Sequence, residues 1–380
     1  MKTKFIAWFI PVFFMNISLL SAQNKPTIKF NGRIQYDFEF LKRQNADDWQ
    51  IGSEFRRVYF SAGGSLAENI KYKMEFNFAH SKIDFLDMYI EYSSKDLGNF
   101  AIGSKAEPTG LEIGTSSKYI PFFERSMLTS LQNSRWGTGI HYKNTALLNH
   151  KAGIQLALTG KGKGKEGFVD KNLEKGINVV ARVFIAPVLN KRKKQTFHLG
   201  LNYATRPYKD LKFRPENHMG DKYHYVFKDG TRRLETGFEA AMVYKQFSLQ
   251  AEYKTRKVAN RANKDYLITG YYGLASFFIT GESRPYKAGA FGRVKPIKDI
   301  RKGGSGAFEI LVRYSVMDFS PDIVNLPDNA GLPAQINNLA FGLNWYPTSH
   351  VRVMYNYVIT QDGHPDGNLN AHLIRFHIDF

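Results

Sequence analysis

Apolar and polar residues alternate with a period of two through most of the chain. In 27–40, TIKFNGRIQYDFEF, one face carries Ile28, Phe30, Ile34, Tyr36, Phe38 and Phe40; the other carries Lys29, Asn31, Arg33, Gln35, Asp37 and Glu39. In 247–256, Phe247, Leu249, Ala251 and Tyr253 oppose Ser248, Gln250, Glu252, Lys254 and Arg256. In 351–359, Val351, Val353, Tyr355, Tyr357 and Ile359 oppose Arg352, Met354 and Asn356. Neighbouring side chains of a strand point to opposite faces, so each segment has one apolar and one polar side. Sixteen such segments are predicted: 27–42, 52–64, 70–79, 85–93, 98–105, 135–142, 151–159, 176–187, 196–207, 233–244, 247–258, 265–279, 307–318, 335–346, 351–360 and 371–380. Many are about ten residues long, the length of a tilted membrane-crossing strand. An even number suits a bacterial outer-membrane barrel. A soluble sandwich tolerates similar alternation, but with shorter strands and without so many charges on every polar face.

The predicted fold is therefore all-β: a 16-stranded antiparallel transmembrane β-barrel with a long loop folded into its lumen. A closed barrel pairs every backbone group within lipid. The apolar faces then look at lipid and the charged faces inward. The inward set holds Lys29, Arg33, Arg57, Lys71, Lys73, Arg182, Arg206, Arg233, Lys254, Arg256, Arg313, Arg352 and Arg375. Glu75, Asp87, Glu91, Glu235 and Glu239 balance them in part. An interior of that kind must be hydrated, which describes a channel rather than a packed core.

The two ends of the chain agree. Lys2 and Lys4, the apolar run Phe5–Leu20 and the small pair Ser21-Ala22 form a secretory leader, residues 1–22, with cleavage expected near Ala22. Residues 23–380 are then the barrel domain. The last nine residues, HLIRFHIDF, alternate and finish on Phe380, which is similar to the assembly signal of outer-membrane barrels. With both termini on the periplasmic side, odd connectors face outward and even ones inward. The even connectors 94–97, 245–246 and 347–350 are short, and the odd ones 106–134 and 208–232 are long, as such barrels require. The twelfth connector, about 280–306, breaks the rule. It carries Arg284, Lys287, Arg293, Lys295, Lys298, Arg301 and Lys302 against Asp299. A long loop in a position meant for a turn is expected to have a function, here to enter the pore with its cations. The fifth connector carries Leu111, Ile113, Tyr119, Ile120, Phe122 and Phe123, which need a surface to pack on; the inner wall would serve.

Composition narrows the chemistry. Cysteine is absent, which excludes a thiol nucleophile or a cysteine-held metal and suits a bacterial envelope protein. Losing the leader removes Lys2 and Lys4 and lowers the net charge from +19 to +17. Export argues against nucleic acid as the partner of so basic a chain; phosphate-like anions and outer-membrane lipid are expected instead. No cofactor is expected, and no enzyme activity. Gly-x-Ser-x-Gly is missing, and GKGKGKEG (160–167) lacks the Ser or Thr that a nucleotide loop places after Gly-Lys. His218 with His224, or His372 with His377, makes no recognisable metal set.

Several stretches taken in order carry a resemblance. They are FNGRIQYDF (30–38), EFRRVYFSAGGSLAENIKYKMEFNF (54–78), GLEIGTSSKYIPFFERS (110–126), TGYYGLASFFITGESRPYK (269–287), VKP (294–296), FEILVRY (308–314) and LNWYP (343–347). With them the chain resembles the phosphate-selective porin O and P family. The resemblance implies a sixteen-stranded outer-membrane barrel of a Gram-negative bacterium and a homotrimer. It also implies an anion site in a constriction made by the third external loop and an infolded periplasmic turn. Arg33, Arg57, Lys71, Lys118, Lys287 and Lys295 stand where the family is basic, Tyr59 where it has a tyrosine, and Asp87 where an acidic neighbour is expected. Alternation independently turns Arg33, Arg57, Tyr59 and Lys71 inward. Phosphate-binding members have a loop lysine where this chain has Ile113. The implied function is diffusion of phosphate or related anions through a basic constriction. A general small-solute porin stands beside it, and a structural, adhesive or hydrolytic barrel further off.

Overall fold

Every one of the sixteen alternating segments forms a strand. The computed structural model describes residues 25–132, 135–160, 176–207, 210–227, 230–260 and 265–380. The leader, and the GKGKGKEG loop beyond Gly160, lie outside the described residues. The strands are β1 Lys29–Arg43, β2 Gln50–Ala67, β3 Ile70–Asn77, β4 Asp84–Ser94, β5 Gly98–Ala106, β6 Trp136–Ala146, β7 Ala152–Thr159, β8 Asn178–Asn190 and β9 Gln195–Pro207. They continue as β10 Gly230–Tyr244, β11 Phe247–Asn260, β12 Asp265–Phe278, β13 Ala307–Phe319, β14 Gln335–Tyr346, β15 Val351–Gln361 and β16 Leu369–Asp379. Each pairs with its chain neighbours, and β1 also pairs antiparallel with β16, so the sheet is a closed barrel without an edge. The closure includes two backbone hydrogen bonds between Gly32 and Phe380, at 3.0 and 3.1 Å. The Phe380 ring lies where a Cβ on residue 32 would stand, 2.1 Å from its nearest ring atom, so only glycine leaves room for it.

The burial pattern is that of a soluble sheet turned inside out. Along β11, Phe247, Leu249, Ala251 and Tyr253 are exposed while Ser248, Gln250, Glu252, Lys254 and Arg256 are buried. Five of the largest fully buried side chains are arginines: Arg182, Arg206, Arg256, Arg313 and Arg375. Large apolar side chains such as Phe30, Ile90, Ile102, Ile140, Leu201 and Phe376 face outward. In water such a surface would lose the hydrophobic gain that folds most proteins. Hydrocarbon removes the penalty, and the polar side chains are then forced to satisfy one another inside.

The inner face is not uniformly polar, which alternation alone does not reveal. Val258, Ile268, Leu274, Leu311, Met317, Ile336, Met354, Val358 and Leu373 also point inward, on β11–β16. They form one buried cluster with Phe122, Phe123, Met127 and Leu128 of the connector 107–135 and with Leu211, Phe213, Tyr225 and Phe227 of the connector 208–229. On these six strands they are interspersed with inward charges such as Lys254, Arg256, Arg313 and Arg375, whereas on β1–β10 the inward face is mostly polar.

Connectors at the end holding both termini are short, as 68–69, 95–97, 191–194, 245–246 and 347–350. The exception is 279–306, which contains a small hairpin of Tyr286–Lys287 against Ala290–Phe291.

Candidate functional site

Most inward arginines are held by a carboxylate, and several of those carboxylates come from connectors. Arg375 forks onto Asp37 at 2.7 and 2.5 Å. Arg182 binds Glu239 at 2.8 Å. Arg206 binds Glu107, and Arg313 binds Glu216 at 3.1 Å through Nε. Glu124, on the connector 107–135, collects three guanidiniums. Arg56 donates to both its oxygens at 2.8 and 3.0 Å, Arg57 at 3.0 Å and Arg375 at 3.2 Å. Burial alone would raise the Glu124 carboxyl, but Arg56, Arg57 and Arg375 outweigh it and hold it well below the usual carboxylate range. Such cations are occupied and add little free charge to a pathway.

Cations also gather around two cavities, one at each end of the barrel. At the end carrying the termini, a cavity of about 990 Å³ is lined by Lys71, Lys95, Lys143, Lys191, Arg192 and Lys287. Among the described residues no carboxylate lines it. At the opposite end, a cavity of about 940 Å³ is lined by Arg56, Arg57, Arg125, Arg135, Lys212, Arg214 and Lys222, but also by Glu54, Asp84, Glu124 and Glu216. In water of high dielectric a lone cation attracts an anion weakly, and several converging on one narrow space act together.

The residues expected from the sequence fall into separate groups. Arg33 and Tyr59 are cross-strand partners, with the guanidinium 4.1 Å from the Tyr59 ring centre. Arg33 also donates to the Ser117 hydroxyl at 2.8 Å, which brings the connector 107–135 to it. Lys118, the next residue, lies 3.5 Å from Asp379. Burial, together with the charges of Arg33 and Arg293, pushes the Lys118 ammonium down against the pull of Asp379. Arg57 stands near this group, tied to Gln35 at 2.8 Å and to Glu124. Lys71 and Lys287 meet instead in the carboxylate-free cavity. Asp87 accepts from Lys73 at 2.8 Å and from the Trp136 indole at 2.9 Å, which commits it to a local network. Lys295 is exposed and lines none of these spaces. Ile113 is buried in the lining of the second cavity, which Arg57 and Arg125 also line.

Two groups were missed in the sequence. Lys143 lies one residue beyond the predicted segment 135–142, although its alternation with His141 was visible. Arg293 was counted only among the cations of its connector, yet it forks onto Asp379 and stacks 5.4 Å from the Tyr119 ring, joining both long connectors to the last strand.

The hairpin 286–291 is held by three hydrogen bonds and turns at one glycine. The Gly289 carbonyl accepts from Arg182 at 2.8 Å, the Tyr286 hydroxyl meets His198 at 2.6 Å, and the Phe291 amide donates to the Thr115 hydroxyl at 3.2 Å. Gly289 has φ +78°, and a Cβ there would stand 2.6 Å from the Phe184 ring. A left-handed alanine costs about 1–2 kcal/mol before any clash, so Gly289→Ala is expected to open the hairpin roughly 5–30-fold more often. Tryptic cleavage after Lys287 in the folded, detergent-solubilised barrel should accelerate by that factor. An unchanged rate would show that the hairpin is not held at this point.

The chain is similar to known porins. Residues 28–380 match the profile of the family described as phosphate-selective porin O and P. Porin O of Pseudomonas aeruginosa is 27% identical over 386 aligned positions, covering 90% of this chain and 84% of that protein. Among solved structures, an anion-selective porin from Comamonas acidovorans is similar with a TM-score of 0.58 and 13% identity, over 94% of this chain and all of that one. The trimer form of OmpT from Vibrio cholerae is similar with a TM-score of 0.57 and 12% identity, over 94% of this chain and all of that one. Likeness at this level of identity shows the barrel fold.

Proposed function

This chain belongs to the phosphate-selective porin O and P family, and from that premise we propose that its barrel is an anion pathway whose selectivity comes from a one-sided basic wall. It is an outer-membrane channel and not an enzyme. The observation that carries the proposal is the cavity of about 990 Å³ with six cations and, among the described residues, no carboxylate. Rings of Lys and Arg select anions in pores.

In this reading both termini face the periplasm. The connectors 107–135 and 279–306 turn into the lumen and narrow it, the first of them against the apolar cluster carried by β11–β16. Their contacts with the buried faces of β1, β8, β9 and β16 support that placement. Arg33, Arg57, Tyr59 and Lys118 then border the narrow part. Lys71, Lys143 and Lys287 lead away from it, and Asp87 steadies Lys73 nearby. Lys295 contributes at most long-range charge at the mouth. The exposed apolar belt faces lipid, and the barrels associate as a homotrimer, in line with the trimer form recorded for OmpT of Vibrio cholerae.

The buried Ile113 favours a second reading, a pore for anions and small solutes with weak phosphate preference. A cation at that place would join Arg57 and Arg125 in lining the same cavity. Phosphate titration of the chloride current in planar bilayers separates the two. Block at submillimolar phosphate supports a phosphate site, and block only at many millimolar supports the broader pore. Ile113→Lys is expected to strengthen the block at least several-fold; a variant indistinguishable from the parent would rule out this position as the determinant.

A further inference from the structure

We propose that Glu54, His80 and His218 form a binding site for one first-row divalent metal ion, of the zinc class, on the wall of the loop-end cavity. The ligand atoms of these three residues lie within 4.8 Å of one another. His80 Nδ1 is 3.4 Å from one Glu54 oxygen, and His218 Nδ1 contacts the other. The two imidazole rings stack with centres 5.6 Å apart and planes at 28°. Both rings therefore turn the same nitrogen toward one carboxylate. A tetrahedral ion with bonds of ~2.0–2.1 Å needs neighbouring ligand atoms roughly 3.4 Å apart, the spacing found between His80 and Glu54; the closer His218 would move outward to admit the ion. Two imidazoles and one carboxylate with positions left open is a donor set that first-row divalent ions accept.

The three residues come from three elements, and each is fixed. Glu54 is on β2. His80 sits in the connector 78–83 with φ +62°, and Ser81 follows at φ +54°; two non-glycine residues in the left-handed region are costly and aim the ring back over the strand. His218 belongs to the connector 208–229. Its amide donates to both Glu39 oxygens at 3.0 and 3.1 Å, and the Met219 amide adds a third bond at 2.9 Å. Glu39 thus steadies a ligand from behind. The nearest cations are engaged elsewhere: Arg56 with Glu124, and Arg214 with the Gly220 carbonyl at 2.7 Å. His80 is 42% exposed and His218 24%, so an ion reaches the site from the cavity without any rearrangement of the barrel. A bound ion would tie β2 to two connectors and add positive charge at the mouth of the pathway.

The pairs considered from the sequence are separated. His224 binds Asp210 at 3.2 Å, His377 points inward onto Gln35 at 2.8 Å, and His372 stacks on the outward Tyr357. That separation makes His224→Ala a clean control. Calorimetric titration of the tag-free, detergent-solubilised full-length barrel with zinc chloride tests the site. The expected isotherm saturates at one ion per chain in the micromolar range or tighter. His80→Ala and His218→Ala should each weaken it at least tenfold, and His224→Ala should leave it unchanged. Because His80 is exposed, its variant should fold, which the heat-modifiable gel shift of the barrel verifies. A non-saturating isotherm, or equal affinity in the folded His80→Ala variant, would overturn the site. Channel selectivity is read separately and does not depend on this result.

Discussion

Replacing Lys71, Lys143 and Lys287 together by glutamate is expected to turn an anion-preferring reversal potential into a cation-preferring one. All three line the carboxylate-free cavity. In water a unit charge attracts an anion ~5 Å away by about 0.8 kcal/mol. Reversal removes that attraction and adds an equal repulsion at each of three places. Screening over a Debye length of about 10 Å at 0.1 M salt weakens the sum without abolishing it. The ratio of anion to cation permeability should therefore fall by about tenfold or more, and by less as the salt is raised. Lys295→Glu alone, on an exposed residue outside the cavity, should change it far less. Equal effects of the triple and the single variant would mean that charge at the mouth, rather than along the wall, sets selectivity.

Removing the Glu124 carboxylate is expected to have the second large effect. Arg56, Arg57 and Arg375 converge on it, and among the described residues Arg375 alone of the three has a further carboxylate, Asp37. Taking away one partner of a buried ion pair costs about 3–5 kcal/mol; the lower end applies because Glu124 is 14% exposed. Glu124→Ala should therefore loosen the connector 107–135 and raise open-channel noise and conductance in chloride. The uncovered guanidiniums offer forks that match phosphate oxygens, so phosphate should quiet the variant at about tenfold lower concentration than it blocks the parent. Noise unaffected by the substitution would show that the connector is held by its apolar contacts alone. Acid mimics the variant only in part. The Glu124 carboxyl is depressed in the folded state, so its stabilisation is present above the unfolded value of about 4.3 and is lost only as pH falls through the lower folded value. The parent channel should remain quiet at pH 4.5.

Much of this barrel was legible because a membrane imposes a strict rule on strands. With lipid on one side and water on the other, each residue declares its face, and all sixteen strands were found within a few residues. Arg33, Arg57 and Lys71 were readable for the same reason. What periodicity could not show was pairing. It places Arg57 and Lys71 on the same inner surface, but not that Glu124 of a distant connector occupies the first while the second opens on a cavity. Nor could it show that Val258, Ile268 and Met354, inward by parity, make a dry wall for Phe122 and Phe123. Glu54, His80 and His218 are separated by 26 and then 138 positions and share no spacing that a motif would record. Contacts between connectors and strands depend on loop geometry, which local alternation does not encode.

The reversal potential of the unmodified protein, measured in planar bilayers across a tenfold KCl gradient, is the decisive measurement. An anion-selective channel gives a potential with the sign of the chloride equilibrium potential, and the basic wall predicts that sign. A potential near zero or of the potassium sign, or a folded barrel that carries no current, would contradict it.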